Sequence, residues 1–221
     1  MPVPVPPDEP VLAVHTWETG RPLLRVADDQ FGATEFNPCL GERTRFAPLL
    51  IDGHCVPTLY AAETLDAVLM ESVFHDVSLD RPDGEPPEVY LADLATVRRS
   101  TITSRRDLRL GRLNDEALEE FGLNRSQLID TDADSYLETV HWAEHAHRHG
   151  AADKRPLDGL IWHSRRAAQG LAIRQLVVLL FGDRVARKEL RTSGTPVPLI
   201  AATGLAELDS IANRLGVTLV R

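Results

Sequence analysis

Residues 45–75 run Arg45-Phe46-Ala47-Pro48-Leu49-Leu50-Ile51-Asp52-Gly53-His54-Cys55-Val56-Pro57-Thr58-Leu59-Tyr60-Ala61-Ala62-Glu63-Thr64-Leu65-Asp66-Ala67-Val68-Leu69-Met70-Glu71-Ser72-Val73-Phe74-His75. The stretch reads as a strand, a turn, a second short strand ending at Tyr60, and a helix. Thr58, Leu59 and Tyr60 favour extended backbone. Thr64 is a good helix N-cap, and Asp66 in the first turn complements the helix dipole. Leu65, Val68, Leu69, Ser72 and Val73 recur at three- and four-residue spacing, which predicts one buried helical face. Glu71 lies beside that face, so its carboxylate must meet a polar cleft or carry a desolvation cost.

Upstream, Val11 to Trp17 and Leu23 to Val26 read as strands. Residues 27–44 are rich in Asp, Gly, Asn and Pro and predict a loop. Downstream, Asp80 to Pro87 predicts a surface loop, and Val89 to Leu94 a strand. Leu108 to Leu113 alternates apolar and charged residues, as a half-exposed strand does. Asn114 caps a helix from Asp115 to Phe121, stopped by Gly122. Ser135 caps a longer one from Tyr136 to His149, stopped by Gly150. Leu160 to Trp162 and Gln175 to Phe181 read as central strands. Gly204 to Leu215 reads as a C-terminal helix before Gly216, and Val217 to Val220 as a last strand. The irregular order predicts an α+β domain and not a doubly wound parallel sheet. Residues 1–20 form an extended arm and first strand, and residues 21–221 a single domain.

The chain has 221 residues, enough for one sizeable core, and a formal net charge of −9. That charge argues against nucleic acid as a direct partner. Basic residues are almost all arginine, with lysine only at 154 and 188. No apolar run reaches the length of a membrane span. Met1 to Pro7 has no basic region and no apolar core, so no export signal is expected and a cytoplasmic location is. Its alternating Pro and Val predict an extended arm; an unstructured leader is the simpler reading, and a partner-binding or dimer-crossing arm the sharper one. Cys39 and Cys55 leave a disulfide open without pointing to secretion. Arg184, Arg187, Lys188 and Arg191 read as a solvated basic cluster. A homo-oligomer is compatible with the composition and not specified by it.

The ordered motifs carry a resemblance. Arg45-Phe46, then Leu59-Tyr60-Ala61-Ala62-Glu63-Thr64, then a helix with Met70-Glu71, resembles the first half of a RES domain. Asp158-Gly159-Leu160-Ile161-Trp162-His163-Ser164-Arg165 resembles the Asp-Gly-apolar-apolar-x-Ser-Arg strand of its second half. Leu23-Leu24-Arg25-Val26 is similar to the opening strand of that family, and Asn37-Pro38 echoes another of its features. The resemblance runs from about Leu23 to about Phe181. It implies an ADP-ribosyltransferase-like mixed β core with flanking helices. It also implies a toxin that cleaves the nicotinamide–ribose bond of NAD+, as a phosphorylase or glycohydrolase, with an Xre-like antitoxin as partner. An ADP-ribosyltransferase acting on protein is the alternative. NAD+ would be the substrate, with no cofactor and no metal required.

Cleavage of that bond develops an oxocarbenium ion. The resemblance implies Glu71 as the carboxylate that stabilises it. Tyr60 would stack on nicotinamide, and Arg25 and Arg45, both expected on strands, would bind the pyrophosphate. Ser164 would hydrogen-bond ribose or phosphate, and Arg165 would contact phosphate. Each also has a structural reading: surface arginines, a core tyrosine, a solvated glutamate, a serine capping a turn. His75 and His163 are read as structural.

A rival reading comes from His141-Trp142-Ala143-Glu144-His145, which fits the H-x-x-E-H pattern of inverted zinc peptidases. Histidines at i and i+4 share a helix face and can hold one Zn2+. No downstream acidic helix supplies a third ligand at a convincing spacing, and an amphipathic helix explains the same residues.

Overall fold

The computed structural model describes residues 2–9, 12–77 and 86–221. Among the described residues, twelve strands and six α-helices follow in order. The first half holds β1 (Val14–Trp17), β2 (Pro22–Asp28), β3 (Leu49–Ile51), β4 (His54–Val56), β5 (Thr58–Ala62), α1 (Leu65–Met70), β6 (Glu88–Tyr90), β7 (Val97–Ser104) and β8 (Leu108–Arg112). The second holds α2 (Asp115–Glu120), α3 (Arg125–Leu128), α4 (Tyr136–His149), β9 (Gly159–His163), α5 (Arg165–Leu171), β10 (Leu176–Phe181), β11 (Leu190–Pro198), α6 (Ala202–Leu215) and β12 (Thr218–Val220). The main sheet has eight strands in the order β1-β8-β9-β10-β5-β2-β7-β11. All its pairings are antiparallel except β8 with β9. This is the expected α+β class with a mixed β core and flanking helices. The expected first strand starts at Val14; Pro10 and Val11 lie outside the described residues, as does the predicted loop from Asp80 through residue 85.

Side-chain alternation explains why β10 sits at the centre. Val177, Leu179 and Phe181 enter a core shared with α1, α4 and α6, while Val178 and Leu180 enter a second core drawn from strands and loops. A strand buried on both faces reads as an unbroken apolar run. Its neighbour β9 begins at Gly159, where a Cβ would stand 1.9 Å from the Leu179 carbonyl oxygen, so only glycine lets the two strands close. Asp158, just before it, takes both guanidinium arms of Arg106 at 2.7 and 2.8 Å and the Arg109 amide at 2.8 Å. The aspartate of the Asp-Gly motif therefore pins the entry of β9 to the outer strands.

Two expectations about the opening stretch need correction. Arg45 is not on a strand: it lies in a turn closed by the Thr44 amide on the Ala47 carbonyl at 2.7 Å. Pro48, which has no N–H to give a ladder, follows directly. The helix does not run on to Val73 either. Thr64 caps it as expected, accepting from the Ala67 amide at 3.2 Å, but it ends at Met70 with Glu71 as its C-cap. Residues 71–76 form turns, and Arg166 holds that segment by donating to the carbonyls of Phe74 and Val77. The helix closes where the Ser72 and Phe74 amides both turn back to the Leu69 carbonyl, at 3.3 and 3.0 Å. The strand expected to reach Leu94 ends at Tyr90 and continues as a 3-10 turn, Leu91–Leu94.

The N-terminal arm is not a free leader. The Trp142 indole donates to the Pro4 carbonyl at 2.9 Å, and Val3 packs against the helix-covered core. Cys39 and Cys55 form a disulfide, with Cα atoms 6.1 Å apart. Of the basic cluster after Gly182, Arg184 donates to the His147 carbonyl and Arg191 to the Thr103 hydroxyl. No helix among the described residues is long and apolar enough to cross a membrane.

Candidate active site where two strands part

β2 and β5 are neighbours in the sheet, yet they register only at Leu24 opposite Ala62. Beyond that pair they splay, and cavities open in the gap. The first has a volume of about 280 Å³ and includes Arg45, Tyr60, Glu71, Tyr136 and Trp162 in its wall. A second, of about 260 Å³, adjoins it across Val26, Thr44 and Tyr60 and reaches Arg25. A third, of about 160 Å³, shares Arg45 and Glu71 with the first and brings in Arg165 and Arg166.

Glu71 owes its position to the end of α1 and to Ser164. The Ser164 hydroxyl donates to Glu71 Oε1 at 2.5 Å while its oxygen accepts from the Ala167 amide at 2.9 Å, capping α5. Ser164 has no exposed surface and stands behind Glu71, outside the cavity walls. The expected direct contact between this serine and a ribose or phosphate thus becomes, in the structure, a contact with the carboxylate.

Arg45 is buried, and its donors go to the loop after α3. Nη1 reaches the Leu128 carbonyl at 3.1 Å and the Thr131 hydroxyl, and Nη2 the Thr131 carbonyl at 3.3 Å. Its guanidinium carbon lies 5.3 Å from the centroid of the Tyr136 ring. Burial lowers its pKa, while Tyr136 and Glu71 oppose the shift. No carboxylate is ion-paired with Arg45 among the described residues, so its charge bears on the cavity.

Tyr60 holds its hydroxyl 2.9 Å from that of Thr44 and accepts from the Phe46 amide at 3.3 Å. Its ring meets Trp162 edge-on at 6.1 Å. Burial pushes the phenol up to about 12, so it stays neutral at physiological pH.

Arg25 does not share the Glu71 cavity. It lies on the face of β2 that carries Leu23, turned to the second core, and its Nη1 donates to the carbonyls of Gly32 and Ala33 at 2.9 and 3.0 Å. Burial lowers it to about 10, which leaves it cationic at neutral pH. Arg165 donates to the Thr131 carbonyl and, at 3.1 Å, to Asp132.

Sequence reasoning passed over three wall residues. Trp162 had a signal: it alternates with Leu160 along a strand already recognised as central. Tyr136 had none, being the first residue of a helix read only for its caps. Arg166 was hidden beside the motif residue Arg165. His75, read as structural, lines two of the cavities, with Nδ1 2.7 Å from Asp76. His163 is largely buried, 3.9 Å from Asp115.

The zinc pattern does not assemble a site. His141 pairs with Glu144 at 2.9 Å, whereas His145 is buried and stacks on His149 with centroids 4.7 Å apart. No group of three or more His, Cys, Asp or Glu side chains able to hold a metal occurs among the described residues.

A splayed mixed sheet flanked by helices is an α+β arrangement of a kind already seen in a solved structure. The chain is similar to one in the crystal structure of the M. tuberculosis MbcT–MbcA toxin–antitoxin complex, with a TM-score of 0.52, 17% identity and 93% of each chain covered. The chain belongs to the RES domain family, whose model matches residues 22–199. No curated protein matches it.

Proposed function

We propose that this chain is a toxin that cleaves the nicotinamide–ribose bond of NAD+. One observation carries the reading: Glu71, held by Ser164, shares a single cavity wall with Arg45 and Tyr60. As the glycosidic bond breaks, its electron pair passes to the nicotinamide nitrogen, which becomes neutral. Positive charge develops on the ribose, and the Glu71 carboxylate stabilises it. Tyr60 and Trp162 supply an aromatic wall for the departing ring. Arg45 supplies fixed positive charge for phosphate oxygens.

The acceptor oxygen then bonds to the ribose carbon. Water yields ADP-ribose and a released proton; inorganic phosphate yields the phosphorylated sugar. Phosphate as acceptor is supported by Arg45, Arg165 and Arg166, which border a space of about 160 Å³ together with Glu71, Asp76 and Asp132. Transfer to a protein side chain is the second reading, favoured by Leu40, 60% exposed on the wall of the Arg25 cavity. No cofactor or metal enters the scheme. An Xre-like antitoxin covering the cleft would block NAD+ entry, a reading supported by the toxin–antitoxin origin of the similar structure. A cytoplasmic protein without direct nucleic-acid contact fits the acidic charge.

The test is nicotinamide release from NAD+, with and without phosphate. Glu71→Gln and Arg45→Ala are each expected to lower turnover by about 100-fold or more while circular dichroism stays native. Undiminished turnover in Glu71→Gln removes the central assignment.

A further inference from the structure

We propose that the Cys39–Cys55 disulfide is a thiol-operated switch on the wall of the Glu71 cavity. Oxidised, it holds the segment before Arg45 in place and the site binds its ligand. Reduced, it frees that segment and binding weakens. The effect on turnover rests on the NAD+ reading above; the tether itself does not.

The disulfide joins the two stretches that deliver site residues. Cys39 precedes Thr44 and Arg45 in the chain, and Cys55 on β4 leads through Pro57 into β5, which carries Tyr60. The bond spans a sequence separation of 16, and Arg45 lies inside the ring so closed. Thr44, Arg45 and Tyr60 all line the Glu71 cavity, and the Thr44 and Tyr60 hydroxyls meet at 2.9 Å.

Little else holds the segment from Pro38 to Arg43. Asn37 is fixed at one end by paired backbone bonds with Thr58 at 2.7 and 3.0 Å, and Thr44 at the other by its amide on the Ala47 carbonyl at 2.7 Å. Between them, the Cys39 sulfur lies 3.6 and 3.7 Å from the carbonyl oxygens of Leu49 and Val56. The remaining hydrogen bonds among the described residues join the Leu40 backbone to the Asn37 side chain at 2.7 and 2.9 Å, which only closes a local turn. Leu40 to Arg43 are exposed. Cys39 itself sits at φ 65°, a left-handed conformation that a residue with a Cβ leaves once its restraint is gone.

Arg45 keeps its place by other means. Its guanidinium is taken up by Leu128 and Thr131, and its carbonyl accepts from the Thr139 hydroxyl. Loss of the tether therefore weakens binding and spares the chemical step. The reductant is a small thiol of the glutathione class. Its thiolate attacks from the side of Cys55, the exposed partner, and displaces the Cys39 sulfur; a second thiol resolves the mixed disulfide. Two electrons and two protons pass to the protein, which gains two thiols, and the reductant leaves as its own disulfide. A disulfide of the same class drives the reverse reaction.

The test treats the purified protein with and without a dithiol reductant. Thiol titration is expected to find no free thiol before reduction and both cysteines free after it. Trypsin cleavage after Arg43, followed by fragment mass, is expected to run about 10-fold faster in the reduced protein, because local opening sets its rate. The KM for NAD+ is expected to rise about 10-fold, with kcat within about 2-fold, because a freed wall must be ordered again on binding. Reoxidation restores both, and the Cys39→Ser/Cys55→Ser double variant behaves as the reduced protein with or without reductant. Free thiols before reduction, or equal trypsin rates, overturn the tether. Faster cleavage with KM unmoved, or a double variant that still answers to reductant, overturns the switch. Absence of nicotinamide release from both forms sinks the NAD+ reading, and proteolysis then decides the tether by itself.

Discussion

Ser164 shows how one side chain can serve a site it does not line. Its hydroxyl hydrogen goes to Glu71 and its lone pair to the α5 amide, so the same group ends one element and aims another. Ser164→Ala removes both contacts. Loss of an N-cap costs about 1 kcal/mol, so a fall of a few degrees in melting temperature is expected. Turnover of NAD+ is expected to fall about 10-fold through kcat, with KM little changed, because the carboxylate loses its aim and not its charge. A purely structural serine would lower stability and leave kcat untouched, and that outcome would reject the positioning role. The sequence placed this residue in the right motif. It could not say that the hydroxyl points inward, because the partner lies 93 residues away.

At the scale of elements, the pairing of β9 with β10 depends on Gly159. Gly159→Ala would drive a methyl into the Leu179 carbonyl at 1.9 Å, a clash with backbone that no rotamer relieves. The variant is expected to lose at least about 3 kcal/mol, read as loss of soluble protein or of a cooperative thermal transition. A stable Gly159→Ala protein would mean that the two strands are not in this register. Legibility differed among elements for clear reasons. The caps at Thr64 and Asn114 were readable because their bonds close within three residues. The glycine stops at 122, 150 and 216 have φ of 70°, 73° and 66°, which a sequence signals directly. The end of α1 was not readable, because Ser72 and Val73 continue the apolar spacing while the chain leaves the helix for Arg166. β7 lay without bounds in a region, Val89 to Leu113, that reads as two or three strands, and β11 carried no strand signal at all. They pair at the outer end of the sheet, where the half-buried Arg98 and Thr101 and the exposed Arg191 dilute the apolar signal.

Across the whole molecule, the first residues are tied to the middle of the chain. Pro4 accepts from Trp142 on α4, and α4 in turn gives the Thr139 hydroxyl to the Arg45 carbonyl. Deleting residues 2–9 is expected to lower the melting temperature by about 2–4 °C and to shift the tryptophan emission, while NAD+ turnover persists. Unchanged emission would mean that the arm does not rest on Trp142 in solution.

The α+β class, the caps at Thr64 and Asn114, the glycine stops, the central apolar strand and the family motifs came from the sequence alone, whereas Ser135 makes no side-chain cap. Each depends on residues close along the chain or on a period of two or 3.6. The departure of Arg45 from a strand, the truncation of α1, the turning of Ser164 away from the cavity and the separation of Arg25 from Glu71 were decided by tertiary structure. The placements of Ser164 and Arg25 depend on which strands pair and where β2 and β5 part, the end of α1 on the segment that Arg166 holds, and the site of Arg45 on the loop after α3 that takes its guanidinium. Each is settled by burial and hydrogen bonding among segments tens of residues apart, which no local pattern records.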